Sequence, residues 1–123
     1  MMHITKLETG GEPVAVVSGQ ETIIQDVQSA LDLMANVRYE TDCDRMIIPK
    51  LLVTELFFDL KTRLAGDILQ KYTNYGMKVA FVGDFSVYAS KSFRDFVYEC
   101  NSGTDILFLP TEQEAIDRLS GRK

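Results

Sequence analysis

The first part of the chain contains two short runs, one of mixed apolar and polar residues and one that is continuously apolar. These runs are HITKLE, residues 3–8, and PVAVV, residues 13–17, and they flank the segment TGGE. Gly10 and Gly11 within that segment supply the positive φ angles that a tight hairpin turn requires. The pattern therefore predicts an antiparallel β-hairpin at the start of the chain.

Between residues 18 and 37, apolar side chains recur every three or four positions, which is the period of an amphipathic helix. Ser18 and Glu21 have the spacing of a capping box, although the helix could equally begin a few residues later. The stretch therefore predicts a first helix with one apolar stripe. That stripe consists of Ile24, Val27, Leu31 and Met34, with Ile23 and Ala30 beside them.

A short apolar run and a long helical pattern follow a charged loop at residues 38–44. The run RMII, closed by Pro49, is short enough to be a buried strand. Residues 50–76 then hold the longest helical pattern in the chain, which ends at a glycine. Either Thr54 or Asp59 could cap this second helix, so its start is left open. Its apolar row consists of Phe57, Leu60, Leu64, Ile68 and Tyr72, with Ala65 and Leu69 beside them.

The last third of the chain alternates between strand and helix patterns. Residues 77–82, MKVAFV, are almost continuously apolar, which predicts a strand buried on both faces. Residues 90–103 predict a third helix capped by Ser92. The run DILFLP predicts a last strand, and a capping box from Thr111 to Glu114 opens a last helix. The inward face of the third helix consists of Phe93, Phe96, Val97 and Cys100.

The resulting order, β-β-α-β-α-β-α-β-α, defines an α/β fold. Strands that alternate with helices form a mostly parallel sheet with right-handed crossovers, so we expect five strands of which only the leading hairpin strand is antiparallel. The hydrophobic content of 46% is enough to form the core of a single α/β domain over residues 1–123. A second domain would need a longer sequence. If every helix packs on one face of the sheet, dimerisation would cover the other face.

Charge and composition exclude several classes of function. The net charge of −5 and the pI near 4.8 argue against binding of nucleic acid or anionic membranes, because both require a basic surface. The chain has no apolar run near the length of about 18 residues that a membrane span needs. Its start also lacks the apolar core of a signal peptide. We therefore expect a soluble cytoplasmic protein.

Cysteine, histidine and motif content give no sign of catalysis. Cys43, interpreted as a loop thiol, and Cys100, interpreted as a core or near-core residue, are far apart and lack CxxC spacing. His3 is the only histidine, so a histidine-rich metal site cannot form. The motifs GxGxxG, GxxxxGK[ST] and HExxH and the EF-hand loop are all missing. We therefore expect no catalytic residues, no metal and no cofactor, and the sequence favours a protein that is not an enzyme.

The stretch KVAFVGDFS, residues 78–86, places a carboxylate and a hydroxyl directly after a predicted strand. Ligands of open α/β sheets bind beyond the carboxyl ends of the strands, so Asp84 could contact a ligand or accept a phosphoryl group. The alternative is an Asx-turn, in which Asp84 bonds nearby amides. A receiver-type phosphoacceptor also requires an acidic pair after the first parallel strand, where this chain reads VVSGQE. The structural interpretation of Asp84 is therefore preferred.

A cluster of polar and charged residues lies near the start of the second predicted helix. Asp59, Lys61, Thr62 and Arg63 could bind an anion if the helix begins there. The preferred alternative is a solvated helix face with an ion pair between Asp59 and Arg63.

Two adjacent phenylalanines precede this cluster. A single helix cannot direct both Phe57 and Phe58 toward one core. We therefore expect one of them to be exposed as a partner or dimer contact.

Three runs of residues resemble a bacterial family that is known only as a domain of unknown function, DUF4180. The runs are ALDLMAN at residues 30–36, FFDLKTRLAGDILQKYTNYGMKVAFVGDFS at residues 57–86, and SKSFRDFVYECN at residues 90–101. The family has no assigned activity, so the resemblance implies no catalytic residues.

More distantly, the element order is similar to the STAS, or SpoIIAA-like, fold of sulfate-transporter tails and anti-sigma-factor antagonists. In that fold, a serine or threonine between the third strand and the second helix is phosphorylated to break a partner interface, typically within an Asp-Ser-x-Gly-like motif. The matching residues 47–62 have no Asp-Ser pair, and their hydroxyls are Thr54 and Thr62. The resemblance therefore implies that these threonines are candidate phosphorylation sites on a protein-binding surface.

These observations lead to two hypotheses about function. The first is a regulatory or protein-interaction module without catalytic activity, which binds a protein partner or a second copy of itself. The second is a small-molecule or anion-binding protein, or a minor enzyme, with a pocket at the carboxyl ends of the parallel strands. The candidate pocket residues are Asp59, Lys61, Asp84, Ser86 and Arg94, and the candidate partner surface adds Phe57, Phe58 and Thr62.

Overall fold

Strands and helices follow one another in the order that the sequence predicts. The computed structural model describes residues 2–121. The predicted domain also includes Met1, Arg122 and Lys123, and the predicted last helix includes the latter two, but these three residues lie outside the described range. The strands are His3–Leu7 (β1), Val14–Ser18 (β2), Arg45–Pro49 (β3), Lys78–Val82 (β4) and Ile106–Leu109 (β5). The helices are Val27–Thr41 (α1), Leu64–Asn74 (α2), Lys91–Ser102 (α3) and Glu112–Ser120 (α4).

The five strands form one sheet in the order β1-β2-β3-β4-β5. β1 and β2 form the predicted antiparallel hairpin, and Gly10 in its turn has a φ of +84°. Every other neighbouring pair is parallel. The predicted α/β fold with a mostly parallel sheet and one leading antiparallel strand is confirmed.

Helices cover both faces of the sheet. One face packs against α1, α2 and α3, and its core includes Met46, Val79 and Phe81. The opposite face carries Ile47, Ala80 and Leu107, and α4 covers it with its own buried residues. The condition under which dimerisation would cover this second face is therefore not met, because α4 packs on it.

α1 begins later than the sequence pattern suggests. Asp26 caps it, since its Oδ1 accepts a hydrogen bond from the Ser29 N–H at 2.8 Å. This hydrogen bond from the Ser29 backbone, and then the Ser29 hydroxyl, lower the pKa of Asp26. Ile24, expected in the helix, instead forms a parallel β-bridge with Val53. Of the two starts that the sequence left open, the later one is observed, and Ser18 ends β2.

Residues 50–63 form three short 3₁₀ turns where the sequence pattern allows the first half of a long helix. Neither Thr54 nor Asp59 caps α2 itself. Thr54 caps the turn at Glu55–Phe58, and Asp59 caps the turn at Leu60–Thr62. Arg63 has a φ of +64°, and this left-handed residue separates the turns from α2.

The 3₁₀ conformation corrects the expectation for the two adjacent phenylalanines. Phe57 is 0% exposed and Phe58 is 4% exposed, so neither belongs to a partner surface. Their rings meet edge to face at 5.2 Å between centroids. The pattern argument assumed a regular α-helix, which this segment does not form.

The ends of the helices are satisfied by nearby side chains. Ser90 caps α3, with Oγ 3.3 Å from the Phe93 nitrogen, so the prediction of Ser92 is wrong. Thr111 caps α4 as predicted.

Three arginines donate to backbone carbonyls at helix C-termini, where unpaired carbonyls favour cations. Arg38 bonds the Tyr75 carbonyl after α2, and Arg45 bonds the Leu119 carbonyl in α4. Arg118 bonds the Asn101 and Gly103 carbonyls at the end of α3, at 2.8 and 3.1 Å. These cations stabilise the fold and do not form a free basic patch.

Candidate functional site

Two connecting segments leave the sheet side by side, at the carboxyl ends of neighbouring parallel strands. Residues 50–63 follow β3, and residues 83–90 follow β4, its parallel neighbour. We call these two segments together the C-terminal edge. Carboxyl ends of parallel strands are the usual place for ligands in α/β folds.

A hydrogen bond joins the two segments of the C-terminal edge. The Tyr88 hydroxyl donates to Glu55 Oε2 at 2.6 Å. Loss of solvent raises the pKa of Tyr88, and the neighbouring Glu55 carboxylate raises it further, so the hydroxyl is a neutral donor at pH 7. The Tyr88 ring also stacks on Phe58 at 5.0 Å between centroids. The two segments are therefore fixed to each other.

Lys50 lies at the centre of this edge. Its Nζ is 4.9 Å from the centroid of the Tyr88 ring, which is a cation–π contact. A Cβ added at Gly83 would lie 2.7 Å from Lys50 Cβ, closer than real Cβ contacts come. Glycine at position 83 is therefore required by the close approach of Lys50.

An aromatic cluster lies beneath the C-terminal edge. Phe108 on β5 is within 6.5 Å, between ring centroids, of five other phenylalanines. Phe58 connects the same cluster to Tyr88 and Phe93. This packing gives the edge a rigid base. The neighbours of Phe108 are Phe57, Phe81, Phe85, Phe93 and Phe96.

Asp84 is bonded within its own loop. Its Oδ1 accepts from the Ser86 N–H at 3.0 Å and from the Ser86 hydroxyl at 2.5 Å. The Ser86 hydroxyl and then the Ser86 N–H lower the pKa of Asp84, and the charge of Lys50 contributes less. The same two residues line a depression of about 410 Å³ with Phe108 and Pro110. Asp84 thus forms the turn that its sequence position suggests, next to an open concavity.

The other predicted pocket residues do not share that concavity. Asp59 and Lys61 line a second depression of about 410 Å³ with Ser90 and Ser92. Arg94 lines a smaller one of about 220 Å³, to which Ser86 also contributes. The five residues are therefore distributed over three shallow depressions.

The two candidate phosphorylation sites differ in their surroundings. Thr62 Oγ1 lies 2.8 Å from the Leu56 carbonyl and 2.9 Å from the Asp59 carbonyl, and it accepts from the Leu64 N–H. Among the hydrogen bonds of the described residues, Thr54 Oγ1 takes part in only one. It accepts this long bond from the Leu56 N–H at 3.4 Å. Thr54 also lines a depression that is larger than the three above and is described next.

That depression has a volume of about 690 Å³ and lies where β3 and β4 end. Sequence reasoning did not single out Lys50, Glu55 or Tyr88. The signal was available for Lys50, because it directly follows the proline that ends a predicted parallel strand. The lining residues are Thr22, Pro49, Lys50, Leu51, Val53, Thr54, Glu55, Val82 and Gly83.

Three exposed apolar residues belong to the segments that the Glu55–Tyr88 hydrogen bond joins. Leu51 is 59% exposed, Leu56 is 57% exposed and Val87 is 61% exposed. Leu56 and Val87 are chain neighbours of the bonded pair, and Leu51 lines the large depression with Glu55. We call Leu51, Leu56 and Val87 the edge patch.

The cysteines are buried or half-buried, and the described residues contain no cluster of metal-binding side chains. Cys43 is buried, and burial raises the pKa of Cys100 to about 11, with the charge of Glu99 contributing. Within residues 2–121, no group of three or more histidines, cysteines and carboxylates could hold a metal ion. None of the helices in that range is long and apolar enough to span a bilayer.

Comparison with known protein families identifies the family of this chain. The model of the family described as "Domain of unknown function (DUF4180)" matches residues 9–119, which confirms the resemblance seen in the sequence. Neither a curated protein nor a solved structure matches the chain.

Proposed function

The chain belongs to the DUF4180 family, whose description assigns no activity, and we propose that it is a protein-interaction module without catalysis of its own. Its docking surface is the edge patch. The observation that carries the proposal is that Leu51, Leu56 and Val87 are each more than half exposed. Leu56 and Val87 adjoin the hydrogen-bonded pair Glu55 and Tyr88 in the chain, and Leu51 lines a depression with Glu55.

A group of exposed apolar residues on a fixed edge differs from scattered surface leucines, which need no explanation. Leu56 and Val87 come from separate segments, and the Glu55–Tyr88 hydrogen bond brings these segments together. Phe58 stacks under Tyr88 and anchors the edge to the aromatic cluster. Such a surface loses little conformational freedom on binding, which favours affinity.

The occupant that we propose is a different protein that presents apolar side chains on a neutral or basic surface. Two copies of this chain, each with a net charge of −5, repel each other as they approach. A partner with positive charge around its apolar contact gains from electrostatic complementarity in both association rate and specificity.

The likeness of the element order to STAS domains supports the same location. The junction that serves as a phosphorylatable interface in that fold corresponds here to residues 47–62. On this proposal Thr54 is the better candidate for regulation, since it lines the large depression together with Leu51. Phosphorylation there would add negative charge next to the edge patch and oppose docking.

We expect a benzophenone cross-linker at position 56 or 87 to capture the same cellular protein in the native host. A cross-linker at Tyr98, which is 78% exposed on α3, serves as the control and should not capture it. Binding of the purified partner should weaken at least about tenfold in the double variant L56D/V87D, because each central apolar contact contributes about 1–2 kcal/mol. Tyr98→Asp should leave the affinity unchanged. Equal affinity of the double variant, or cross-links only between copies of the chain, would contradict the proposal.

A second candidate function is favoured by the position of Lys50. Among the described residues that line the depression of about 690 Å³, Lys50 is the only cation. A small anion placed there would contact Lys50 at the ends of β3 and β4, where α/β folds bind ligands.

If this second function holds, we expect inorganic phosphate to shift the amide resonances of residues 50–55 and 82–84 in an NMR titration. Lys50→Gln should weaken binding by at least about tenfold, as expected for loss of one charged hydrogen bond. Lys61→Gln, which changes a different depression, is the matched control. Shifts that are unaffected by Lys50→Gln, or spread evenly over surface lysines, would rule out this site.

A further inference from the structure

The outer edge of β5 presents a sequence suited to pairing with another chain. β5 is the last strand of the sheet and pairs only with β4 within the described residues. Its sequence, ILFL, is apolar, uncharged and favourable for β-structure. Such edges are templates for strand addition and aggregation unless something blocks them.

The hydrogen bonds of β5 show which residues face outward. The Val79 N–H donates to the Asp105 carbonyl at 2.9 Å, and the Gly83 N–H donates to the Leu109 carbonyl at 3.1 Å. Alternate residues of a strand direct their backbone groups to opposite sides. Ile106 and Phe108 therefore direct their N–H and carbonyl groups away from β4.

The side chain of Asn101 occupies the outward position at Phe108. Its Oδ1 accepts from the Phe108 N–H at 2.8 Å, and its Nδ2 donates to the Phe108 carbonyl at 3.0 Å. A side-chain amide carries the same donor and acceptor as a peptide unit. Asn101 thus imitates one residue of a neighbouring strand and satisfies both groups that such a strand would use.

The position of Asn101 is itself fixed, and the next outward residue offers no donor. Asn101 lies in the last turns of α3, and its backbone carbonyl accepts from Arg118 Nη2 at 2.8 Å. Pro110 follows β5 and has no N–H to offer a further strand. The outer edge of β5 is therefore closed from Phe108 onward.

We propose that Asn101 blocks the outer edge of β5 in its own molecule. It thereby prevents β5 of a second copy from pairing there and extending the sheet from one molecule to the next. This role is independent of the edge patch, which lies at the carboxyl ends of β3 and β4. Loss of the Asn101 amide leaves the Phe108 N–H and carbonyl free to accept a new strand, and β5 of another copy is an apolar, self-complementary candidate.

The test compares Asn101→Ala and Asn101→Ser with the wild-type chain by sedimentation velocity over a wide range of protein concentration. Serine keeps a polar side chain but is too short to bond both groups of Phe108. We expect the mean molecular mass of both variants to rise with concentration to at least about twice the wild-type value, as when open edges pair. Deuterium exchange at the Phe108 amide should become faster in dilute variant protein and slower again as it associates.

Tyr72→Phe is the matched control for general destabilisation. It also removes a buried hydrogen bond, from the Tyr72 hydroxyl to the Ala30 carbonyl at 2.8 Å, but between α1 and α2. This variant should show the wild-type mass at every concentration. The proposal is overturned if the Asn101 variants associate no more than Tyr72→Phe does, or if the Phe108 amide stays unprotected in the associated form.

Discussion

Replacing Phe108 by alanine is expected to lower the free energy of unfolding by about 3–5 kcal/mol, the largest effect of any single truncation that we propose. The ring is 3% exposed and lies 5.1 Å from Phe81 and 5.3 Å from Phe85, between centroids. Its removal leaves a cavity at the centre of the aromatic cluster. The cluster also holds the loop 83–90, so the C-terminal edge should lose its rigid base.

Urea denaturation followed by circular dichroism measures this change. Phe108→Leu keeps most of the buried apolar volume and should cost less than half as much. Phe96→Ala is the matched control, because Phe96 is only partly buried and lies at the margin of the cluster, 5.9 Å from Phe108. An equal loss for Phe96→Ala and Phe108→Ala would show that Phe108 is not the centre of this packing.

Replacing Leu119 by alanine is expected to cost about 3 kcal/mol, as for other fully buried leucines. α4 has nine residues, and it covers the second face of the sheet with Ala115 and Leu119, both 0% exposed. Because a short helix depends on tertiary packing, loss of its main apolar contact should also detach α4 locally. Ile47 and Leu107 would then be open to solvent.

Two measurements separate these effects. Urea denaturation gives the loss in stability, and native-state hydrogen exchange of α4 shows whether the helix opens below the global unfolding transition. Ile116→Ala is the matched control, because Ile116 is a partly buried residue of the same helix and should cost less. If the amide hydrogens of α4 in Leu119→Ala exchange only through global unfolding, the helix does not open locally and this interpretation fails.

Local patterns predicted most of the architecture correctly. The apolar run before Pro49 and the run MKVAFV became β3 and β4, and Thr111 caps α4. Such features depend on residues a few positions apart, so the sequence contains their cause. Where several caps compete, the pattern is less decisive. Ser18 and Ser92 have suitable spacing, yet Asp26 and Ser90 are the caps.

The candidate site was harder to predict, because its parts come from distant positions. Asp84 was correctly interpreted as a turn residue, since its bonds to Ser86 are local. The pair Glu55 and Tyr88 is separated by 33 positions, and no local pattern links them. Phe57 and Phe58 were misjudged for a related reason, since the 3₁₀ turns that bury both rings depend on the packing partners of the whole cluster.

By itself, the sequence determined the alternation of strands and helices, the parallel sheet, the acidic net charge and the family. Each of these follows from composition or from a short-range period. Only the tertiary structure decided which face α4 covers, how residues 50–63 turn, and which side chains meet at the C-terminal edge and at the outer edge of β5. The physical reason is that burial and hydrogen bonding between distant segments outweigh local propensities of a few tenths of a kcal/mol per residue.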